Sequence, residues 1–406
     1  MYRTTLSERH PHRPCRRGAI DSMSSTDINN TATVAAFESL MAELLDQDFG
    51  LRKPPVITFW CGAGFSKAWD PRSPTDGELF AIDLDDIQDF PNLRHVMHVI
   101  GWEDYRHLDF ERFKNLRYVL DMQVRYPDIR NRYFDDQNLR LSIHELRTLV
   151  MRRFTAACDI HNVDDRTLRF TSPYDSDGQR AITRFFAALE DRAGQAGLGE
   201  NWPLYHFLTT NYDFTIETIL EHVYRQQAPV FGRLYRGITP QRICGGSIWE
   251  HLPRTVDRNV IKINGGFEIL PTAQGFDFEY RRRSDTQIRQ EPPLLILPSQ
   301  VQDYDEPYFH QVFPKAVRLL RETDVLVIVG YSMPQEDSLV RFILRQLAES
   351  PNDAKGKHVF VIDTKNHATI KSRLEEMFFY LPRTGWPREH YYSGRFEDFC
   401  HKVTSA

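Results

Sequence analysis

The sequence has few cysteines, and none is spaced as a metal site or a disulfide framework requires. No Cys-x-x-Cys pair occurs, so neither a zinc site nor a set of disulfides is indicated. The fifteen histidines show no paired metal spacing either, and we predict no metal. Scattered, reduced thiols are typical of a cytoplasmic protein. The five cysteines are Cys15, Cys61, Cys158, Cys244 and Cys400.

Long apolar runs and a basic net charge are also absent. No stretch approaches the ~20 apolar residues that a membrane-spanning helix needs. The formal net charge is −5, so the overall charge does not indicate nucleic-acid binding. Binding to nucleic acid would depend on a local basic patch. Arg281-Arg282-Arg283 is interpreted as a solvated loop, with contact to a partner or to nucleic acid as the alternative. We expect neither membrane association nor direct nucleic-acid binding.

Length and texture divide the chain into three parts. At 406 residues it can bury a large core and hold two or three structural units. Residues 1–32 are polar, broken by Pro and Arg, and lack the apolar core of a signal peptide, so they predict a disordered leader. Residues 33–74 and 193–406 have the pattern of apolar runs and helical segments that is typical of an α/β core. Residues 75–192 are rich in charge and aromatics without continuous apolar strands, and predict a mostly helical insertion.

Short apolar runs alternate with helical patterns in the core segments. This alternation predicts an α/β fold with a doubly wound, mostly parallel, Rossmann-like sheet. The helical patterns cover Phe214–Val223 and Ser338–Leu347. The apolar runs are Val56–Trp60, Tyr205–Leu208, Val260–Ile263, Leu294–Leu297, Val325–Val329 and Val359–Ile362.

Glycines and polar residues follow these strands at their carboxyl ends, where open parallel sheets bind ligands. Gly62-Ala63-Gly64-Phe65-Ser66 comes after the first strand. Its glycines let the backbone approach a ligand closely, and the amides that open the next helix suit a phosphate. Together the strand ends suit a dinucleotide. The later ones carry Thr210-Asn211-Tyr212-Asp213, Asn264-Gly265-Gly266, Gly330-Tyr331-Ser332 and Asp363.

These motifs resemble those of the sirtuin-like superfamily, in the same order, between Val56 and Asp363. Gly62-Ala63-Gly64-x-Ser66 matches its phosphate-binding turn, and Thr210-Asn211-Tyr212-Asp213 stands where sirtuins carry Thr-Gln-Asn-x-Asp. Gly330-Tyr331-Ser332-Met333-Pro334-x-x-Asp337 looks like the Gly-Tyr-Ser-Leu-Pro-x-x-Asp segment of the bacterial defence branch. The resemblance implies NAD as the substrate, bound by Gly62, Ala63, Gly64, Ser66, Thr210, Asn211, Asp213, Gly330, Ser332 and Asp363.

Two departures from the family pattern shape the expected activity. The four-cysteine zinc module of the deacylase sirtuins is missing from the sequence, which favours the zinc-free branch that is similar to NAD hydrolases of antiphage systems. Where the family carries a catalytic His before Gly, this chain has Asn264, and an amide cannot accept a proton as a neutral imidazole does. His206 and His251 are alternative bases that no motif supports.

Loss of that histidine affects acyl transfer more than hydrolysis. Breaking the nicotinamide–ribose bond gives an oxocarbenium-like centre, which a site can promote by holding the ribose and orienting one water. By resemblance this role falls on Asn211, with Asp213 supporting the loop or a ribose hydroxyl and Asn264 as the third catalytic candidate. We therefore expect an NAD+ glycohydrolase that gives ADP-ribose and nicotinamide.

Each site residue also has a structural interpretation. Gly62 and Gly64 can serve a tight turn, and Asn264-Gly265 is a common turn pair. Ser66, Asn211 and Asp213 can cap helices, and Asp337 is interpreted as the cap of the helix that begins at Ser338.

Such an enzyme would destroy the NAD of its own cell unless it were held inactive. The resemblance therefore implies the toxic effector of an antiphage system, activated by an operon-encoded partner such as a HerA-type hexameric ATPase or a short Argonaute-like protein. A homo-oligomer is also expected. The alternatives are a non-catalytic NAD or ADP-ribose-binding module that scaffolds a defence complex, and a protein deacylase or ADP-ribosyltransferase.

Overall fold

The computed structural model describes residues 25–45, 55–195, 205–224, 229–230, 234–235, 240–247, 258–365, 367–379, 381 and 386–405. Its strands are β1 (Ile57–Cys61), β2 (Ile82–Asp83), β3 (His107–Leu108), β4 (Tyr205–Thr209), β5 (Leu234–Tyr235), β6 (Arg242–Ile243), β7 (Gly246–Ser247), β8 (Arg258–Lys262), β9 (Ile269–Thr272), β10 (Gly275–Phe278), β11 (Val325–Val329), β12 (His358–Asp363) and β13 (Arg388–Ser393).

Seven of these strands form one sheet in the order β13-β12-β11-β1-β4-β8-β5. Every neighbouring pair in it is parallel. The first strand lies in the middle, and the chain extends the sheet to one side through β4 and to the other through β11. The strand order reverses at β1, which is where doubly wound sheets bind ligands. The predicted α/β fold class is confirmed.

The helices within the described residues are α1 (Ser25–Leu45), α2 (Ala63–Trp69), α3 (Asp76–Leu79), α4 (Pro91–Val99), α5 (Phe110–Arg125), α6 (Asp136–Ala157), α7 (Asp177–Gln195), α8 (Thr215–Val223), α9 (Asp285–Gln290), α10 (Pro307–Glu322), α11 (Ser338–Leu344), α12 (Pro351–Ala354), α13 (His367–Met377) and α14 (Phe396–Ser405). None of them is long and apolar enough to cross a membrane.

Both faces of the sheet are covered, which is why its central strands β1 and β11 are almost entirely apolar. Along β1, Phe59 belongs to one buried cluster and Trp60 to the other, as the two-residue repeat of a strand requires. Helices α1, α7, α8 and α14 contribute to the Phe59 cluster, and α4, α5, α6 and α10 to the Trp60 cluster. Continuous apolar runs such as Val325–Val329 follow from burial on both faces.

Two predicted features are wrong in detail. Residues 25–32 of the predicted leader are helical, and Asn30 Nδ2 donates to the carbonyl of Ser393 at 2.9 Å, which ties α1 to the edge strand β13. The rest of the leader lies outside the described residues. Leu294–Leu297 is buried but is not a strand, because Leu295 forms only an isolated bridge to Gly265.

The predicted insertion contributes to both faces of the sheet. Helices α3 to α6 pack on the Trp60 side, whereas α7 packs on the Phe59 side through residues such as Phe185 and Phe186. The helical content agrees with the sequence pattern, and the domain boundaries at 75 and 192 stay a prediction.

In the arginine run, Arg281 pairs with Glu279 at 2.6 Å and Arg283 donates to the carbonyl of Gln287 at 2.8 Å. Two of its three side chains are therefore used within the fold.

Candidate active site

A cavity of about 640 Å³ opens at the carboxyl ends of the central strands. That volume lies within the usual ~300–1,000 Å³ of small-molecule sites. The fold thus brings the predicted residues from five separate strand ends to one place, except Gly62, which lies just behind the lining. The predicted residues that line the cavity are Ala63, Gly64, Ser66, Thr210, Asn211, Asp213, Asn264, Gly330, Ser332 and Asp363.

The glycine turn after β1 packs directly against the turn after β11. The amide of Gly64 donates to the carbonyl of Gly330 at 3.1 Å, and the amide of Gly62 donates to Val329 at 2.9 Å. A Cβ on Gly62 would lie 2.5 Å from the carbonyl oxygen of Gly330. These glycines are therefore required for backbone contact between two site loops, and the Gly64 amide that we expected to hold a phosphate already has a protein acceptor.

Position 330 requires a glycine for two reasons: its backbone φ is positive, and a Cβ atom would collide with the turn after β1. Its φ is +57°, and a Cβ there would lie 2.6 Å from the carbonyl carbon of Gly64. We expect Gly330→Ala to lower the free energy of unfolding by about 2–3 kcal/mol, measured by urea denaturation. Gly356→Ala is the matched control, because Gly356 has φ +83° and open space around its Cβ position. Equal losses in the two variants would show that the contact with Gly64 is unimportant.

The amide of Asn211 is held in one orientation. Its Nδ2 donates to the carbonyl of Gly62 at 2.8 Å and to Ser66 Oγ at 2.8 Å. Because a carbonyl oxygen only accepts, the contact with Gly62 decides which end of the amide is nitrogen. The other end, Oδ1, has no hydrogen-bond partner among the described residues. It is the polar atom of Asn211 that remains for a ligand in the cavity.

Asp213 holds this arrangement in place. One carboxylate oxygen accepts from Ser66 Oγ at 2.7 Å, and the other accepts from the backbone amide of Thr215 at 2.9 Å. The second contact satisfies the first backbone amide of α8 from the residue before its N-cap, Phe214. Both oxygens of this buried side chain are thus used to connect α2, the loop after β4 and the start of α8. Asp213 is a positioning residue for Ser66 and Asn211.

A fully buried ionic cluster contacts the loop after β4 through the backbone of Asp213. Lys262 Nζ donates to the carbonyl of Asp213 at 2.7 Å and lies 3.2 Å from Glu217 and 3.0 Å from Glu268. The three side chains are each at most 1 % exposed. No sequence motif indicated this cluster, because its members come from β8, α8 and the turn after β8.

Asn264, where the sequence resemblance places a histidine in the family, lies at one end of a chain of polar contacts. The Tyr304 hydroxyl is 3.4 Å from Asn264 Oδ1 and donates to Gln302 Oε1 at 2.9 Å. Gln302 Nε2 donates to one oxygen of Asp337 at 3.2 Å, and the Tyr331 hydroxyl donates to the other at 2.9 Å. The substituted position is thereby connected to a carboxylate.

The predicted role of Asp337 as a helix cap is wrong. It occupies the N-cap position of α11, but its side chain makes no capping hydrogen bond and lines the cavity instead. Burial raises the pKa of Asp337 to about 6, with the nearby charge of Asp76 acting in the same direction and the Tyr331 hydrogen bond opposing it. The sequence interpretation failed because an Asp before a helix usually caps it.

Residues of the predicted insertion form the wall opposite the strand ends. Phe80, Phe110 and Phe154 line the cavity together with Asp76. Lys114 of α5 contacts Glu336 at 2.8 Å, which joins this wall to the loop after β11. Burial of Glu336 opposes its ionisation, but the hydrogen bond from Lys114 lowers the pKa of Glu336. Sequence analysis missed this wall because aromatic residues in helices indicate packing without showing against what.

Of the two alternative histidines, His206 does not supply a base to this cavity. His206 is buried in β4, where its Nδ1 accepts from the backbone amide of Asn259 at 3.1 Å, and it is not part of the lining. His251 lies outside the described residues. Within the described part of the chain, no group of three or more His, Cys, Asp or Glu side chains is arranged to hold a metal ion.

Part of this site lies in a segment that matches a known family model. Residues 205–381 match the model of the SIR2-like domain family. That match supports a sirtuin-like family. It contains the Asn211, Asn264 and Gly330 loops, whereas the glycine turn after β1 lies before the matched residues. A search of curated proteins finds no match to this chain.

Solved structures of Sir2 proteins are similar to the chain over most of its length, at low identity. One is a Sir2 homologue in complex with NAD, with 14 % identity and a TM-score of 0.38, covering 91 % of this chain and 92 % of its own. Another is a mutant Sir2 homologue in complex with 2'-O-acetyl-ADP-ribose, with 13 % identity and a TM-score of 0.39, covering 91 % and 95 %. Likenesses this distant are not evidence for an activity.

Proposed function

We propose that this protein binds NAD in the cavity at the strand ends and hydrolyses it to ADP-ribose and nicotinamide. The observation that carries the proposal is the fixed amide of Asn211, whose two N–H groups are used and whose Oδ1 is left for the ligand. Asn211 lies within the residues that match the SIR2-like domain. Its loop therefore combines the family match with a side chain set in one orientation.

The chemistry needs little more than orientation and charge stabilisation. The C1'–N bond breaks with its electron pair leaving on nicotinamide, which becomes neutral, and positive charge develops on the ribose. An amide oxygen held near C1' stabilises that charge and can accept a hydrogen bond from the attacking water. Because Gly62 and Ser66 hold the amide before substrate binds, no reorganisation is needed during the reaction.

The biological setting follows from the same resemblance. An NAD hydrolase of this kind would serve as the toxic effector of a bacterial antiphage system, and a partner subunit would activate it. A HerA-type ATPase or a short Argonaute-like protein is the proposed class of partner, with a homo-oligomer of this chain as the assembled form. The cytoplasm, where NAD is abundant, is the proposed location.

A non-catalytic NAD or ADP-ribose-binding module is the second candidate, and Asn264 favours it. The amide at this position cannot take a proton, and the candidate histidine His206 is engaged elsewhere. In that case the cavity would hold the nucleotide while the chain scaffolds a defence complex.

Measuring nicotinamide separates these candidates. We expect the purified full chain, alone or with the product of its neighbouring gene, to release nicotinamide and ADP-ribose from NAD in equal amounts. Nucleotide binding by calorimetry without release in either setting would instead establish the binding module. Release that requires an acylated peptide would establish a deacylase.

A further inference from the structure

The proposed hydrolysis needs a proton acceptor for the attacking water, and the family histidine is replaced by Asn264. Among the described residues that line the cavity, the carboxylates are the candidates, since burial raises the pKa values of the lining tyrosines Tyr212 and Tyr331, which stay protonated near neutral pH. The lining carboxylates are Asp76, Asp213, Glu336, Asp337, Asp363 and Glu397.

Three of these carboxylates already have a structural role. Asp213 holds Ser66 and the start of α8 in place, which is the positioning role described above. Glu336 is ion-paired with Lys114 at 2.8 Å. Asp363 accepts from the backbone amide of Lys365 at 2.7 Å in its own turn. Asp76, Asp337 and Glu397 remain; Glu397 has one contact of 3.4 Å with Arg395, and its buried Oε2 has no hydrogen-bond partner among the described residues.

Asp337 differs from Asp76 and Glu397 in that hydrogen bonds hold both of its carboxylate oxygens. Each of its oxygens accepts one hydrogen bond, from Gln302 and from Tyr331, which leaves lone pairs on both for a water. Gln302 also connects it through Tyr304 to Asn264. The carbonyl of Asn264 accepts from the amide of Ile296, whose own carbonyl accepts from the Tyr212 hydroxyl. Asp337 is thus connected to the loop of Asn211 by a continuous set of contacts.

We infer that Asp337 is the general base of this site and replaces the histidine that the family carries at the position of Asn264. This inference rests on the proposed NAD hydrolysis. As the C1'–N bond breaks, the water oxygen bonds to C1' and one water proton passes to the Asp337 carboxylate. The proton then leaves to solvent, so that NAD and water give ADP-ribose, nicotinamide and one proton. Asn264 and Gln302 act as positioning residues.

The charge environment of Asp337 fits a base that works near neutral pH. Burial raises the pKa of Asp337 to about 6, so the carboxylate is charged at pH 7 and more basic than an exposed one. Asp76 faces it from α3 and raises its pKa, and Glu336 beside it acts in the same direction while paired with Lys114. The Tyr331 and Gln302 hydrogen bonds lower it.

The test is the pH profile of kcat/KM for nicotinamide release by the full chain, with its partner if release requires one. In the unsubstituted protein we expect activity to fall as pH drops through about 6, because a protonated carboxyl cannot accept a proton. In Asp337→Asn, kcat/KM at pH 8 should be about 100-fold lower or more, and the fall in activity at low pH (the acidic limb of the profile) should disappear. Asp305→Asn, an exposed carboxylate in the same loop as Tyr304, is the matched control and should keep both rate and limb.

Two further variants separate a base from a merely structural carboxylate. Tyr331→Phe removes a hydrogen bond to the charged form, so the midpoint of the limb should move to higher pH. Asp76→Asn removes a nearby negative charge, so the midpoint should move to lower pH. A structural role would shift neither midpoint.

The variants should be folded when assayed. Because the pKa of Asp337 is raised in the folded state, its charge opposes folding above pH 6, and Asp337→Asn should not lower Tm at pH 8. If release persists in Asp337→Asn with its acidic limb intact, or if Asp76→Asn abolishes the limb, Asp337 is not the base although hydrolysis stands. If the unsubstituted protein releases no nicotinamide in any setting, both the base and the proposed function fail.

Discussion

Asn211→Ala is expected to reduce nicotinamide release by at least about 100-fold while the protein stays folded. Removal of one preorganised dipole from a site that stabilises developing charge typically costs about 10²–10³ in rate. Asn211 Oδ1 is such a dipole, because the contacts of Nδ2 with Gly62 and Ser66 set its direction before substrate binds. The measurement is the single-turnover rate with saturating NAD, alongside the dissociation constant from calorimetry.

Two companion variants make this result interpretable. Ser66→Ala keeps the Asn211 carbonyl but removes one of the two acceptors that hold its amide, so we expect a smaller loss of roughly tenfold. Asn115→Ala deletes an exposed asparagine amide of α5 and should leave the rate unchanged. If Asn211→Ala retains full activity, the amide has no role in the reaction and the geometry of the candidate site has been misread.

The strand ends were predictable because buried parallel strands leave a simple pattern. Val325–Val329 is apolar at every position since both faces of the sheet are covered, and its bounds agree with β11. The edge strand β13 was not predicted. The residues of β13, Arg388–Ser393, are mostly polar or half-buried. The strand pairs with β12 on one side and contacts α1 through Asn30. Local patterns identify central strands better than edge strands.

The site was predictable where it follows a strand and unpredictable where it depends on long-range contacts. Asn211 and Gly330 directly follow β4 and β11, so their meeting follows from the topology of the sheet. Gln302 and Tyr304 have no such signal, since they lie in a loop between elements. Asp337 carried a motif, but whether it caps a helix or faces a cavity is decided by Tyr331 and Gln302. Local propensity predicts a helix cap at Asp337, whereas the tertiary contacts hold its side chain at the cavity.

The insertion also changes how the proposed activity would be controlled. Phe80 and Phe110 form part of the cavity wall, and Lys114 joins α5 to Glu336 beside Asp337. A partner that moves these helices would alter both the shape of the cavity and the charge around Asp337.

Lys262→Met is expected to lower the free energy of unfolding by about 3–5 kcal/mol, the usual cost of breaking a buried ion pair from one side. The change leaves Glu217 and Glu268 buried at the same place without their cation. It also removes the hydrogen bond to the carbonyl of Asp213. Urea denaturation at pH 8 measures the loss, and nicotinamide release at low temperature measures the effect on the Asn211 loop.

The origin of this loss can be separated from simple loss of packing. Adding Glu217→Gln and Glu268→Gln to Lys262→Met removes both buried carboxylate charges at nearly constant volume, so the triple variant should recover most of the stability. Lys67→Met is the exposed counterpart, because its pair with Glu78 at 2.9 Å is open to water, and it should cost less than about 1 kcal/mol. If the triple variant is as unstable as Lys262→Met, the cost comes from the lost contact with Asp213. The cluster would then act by anchoring the active-site loop, and release should fall in both variants alike.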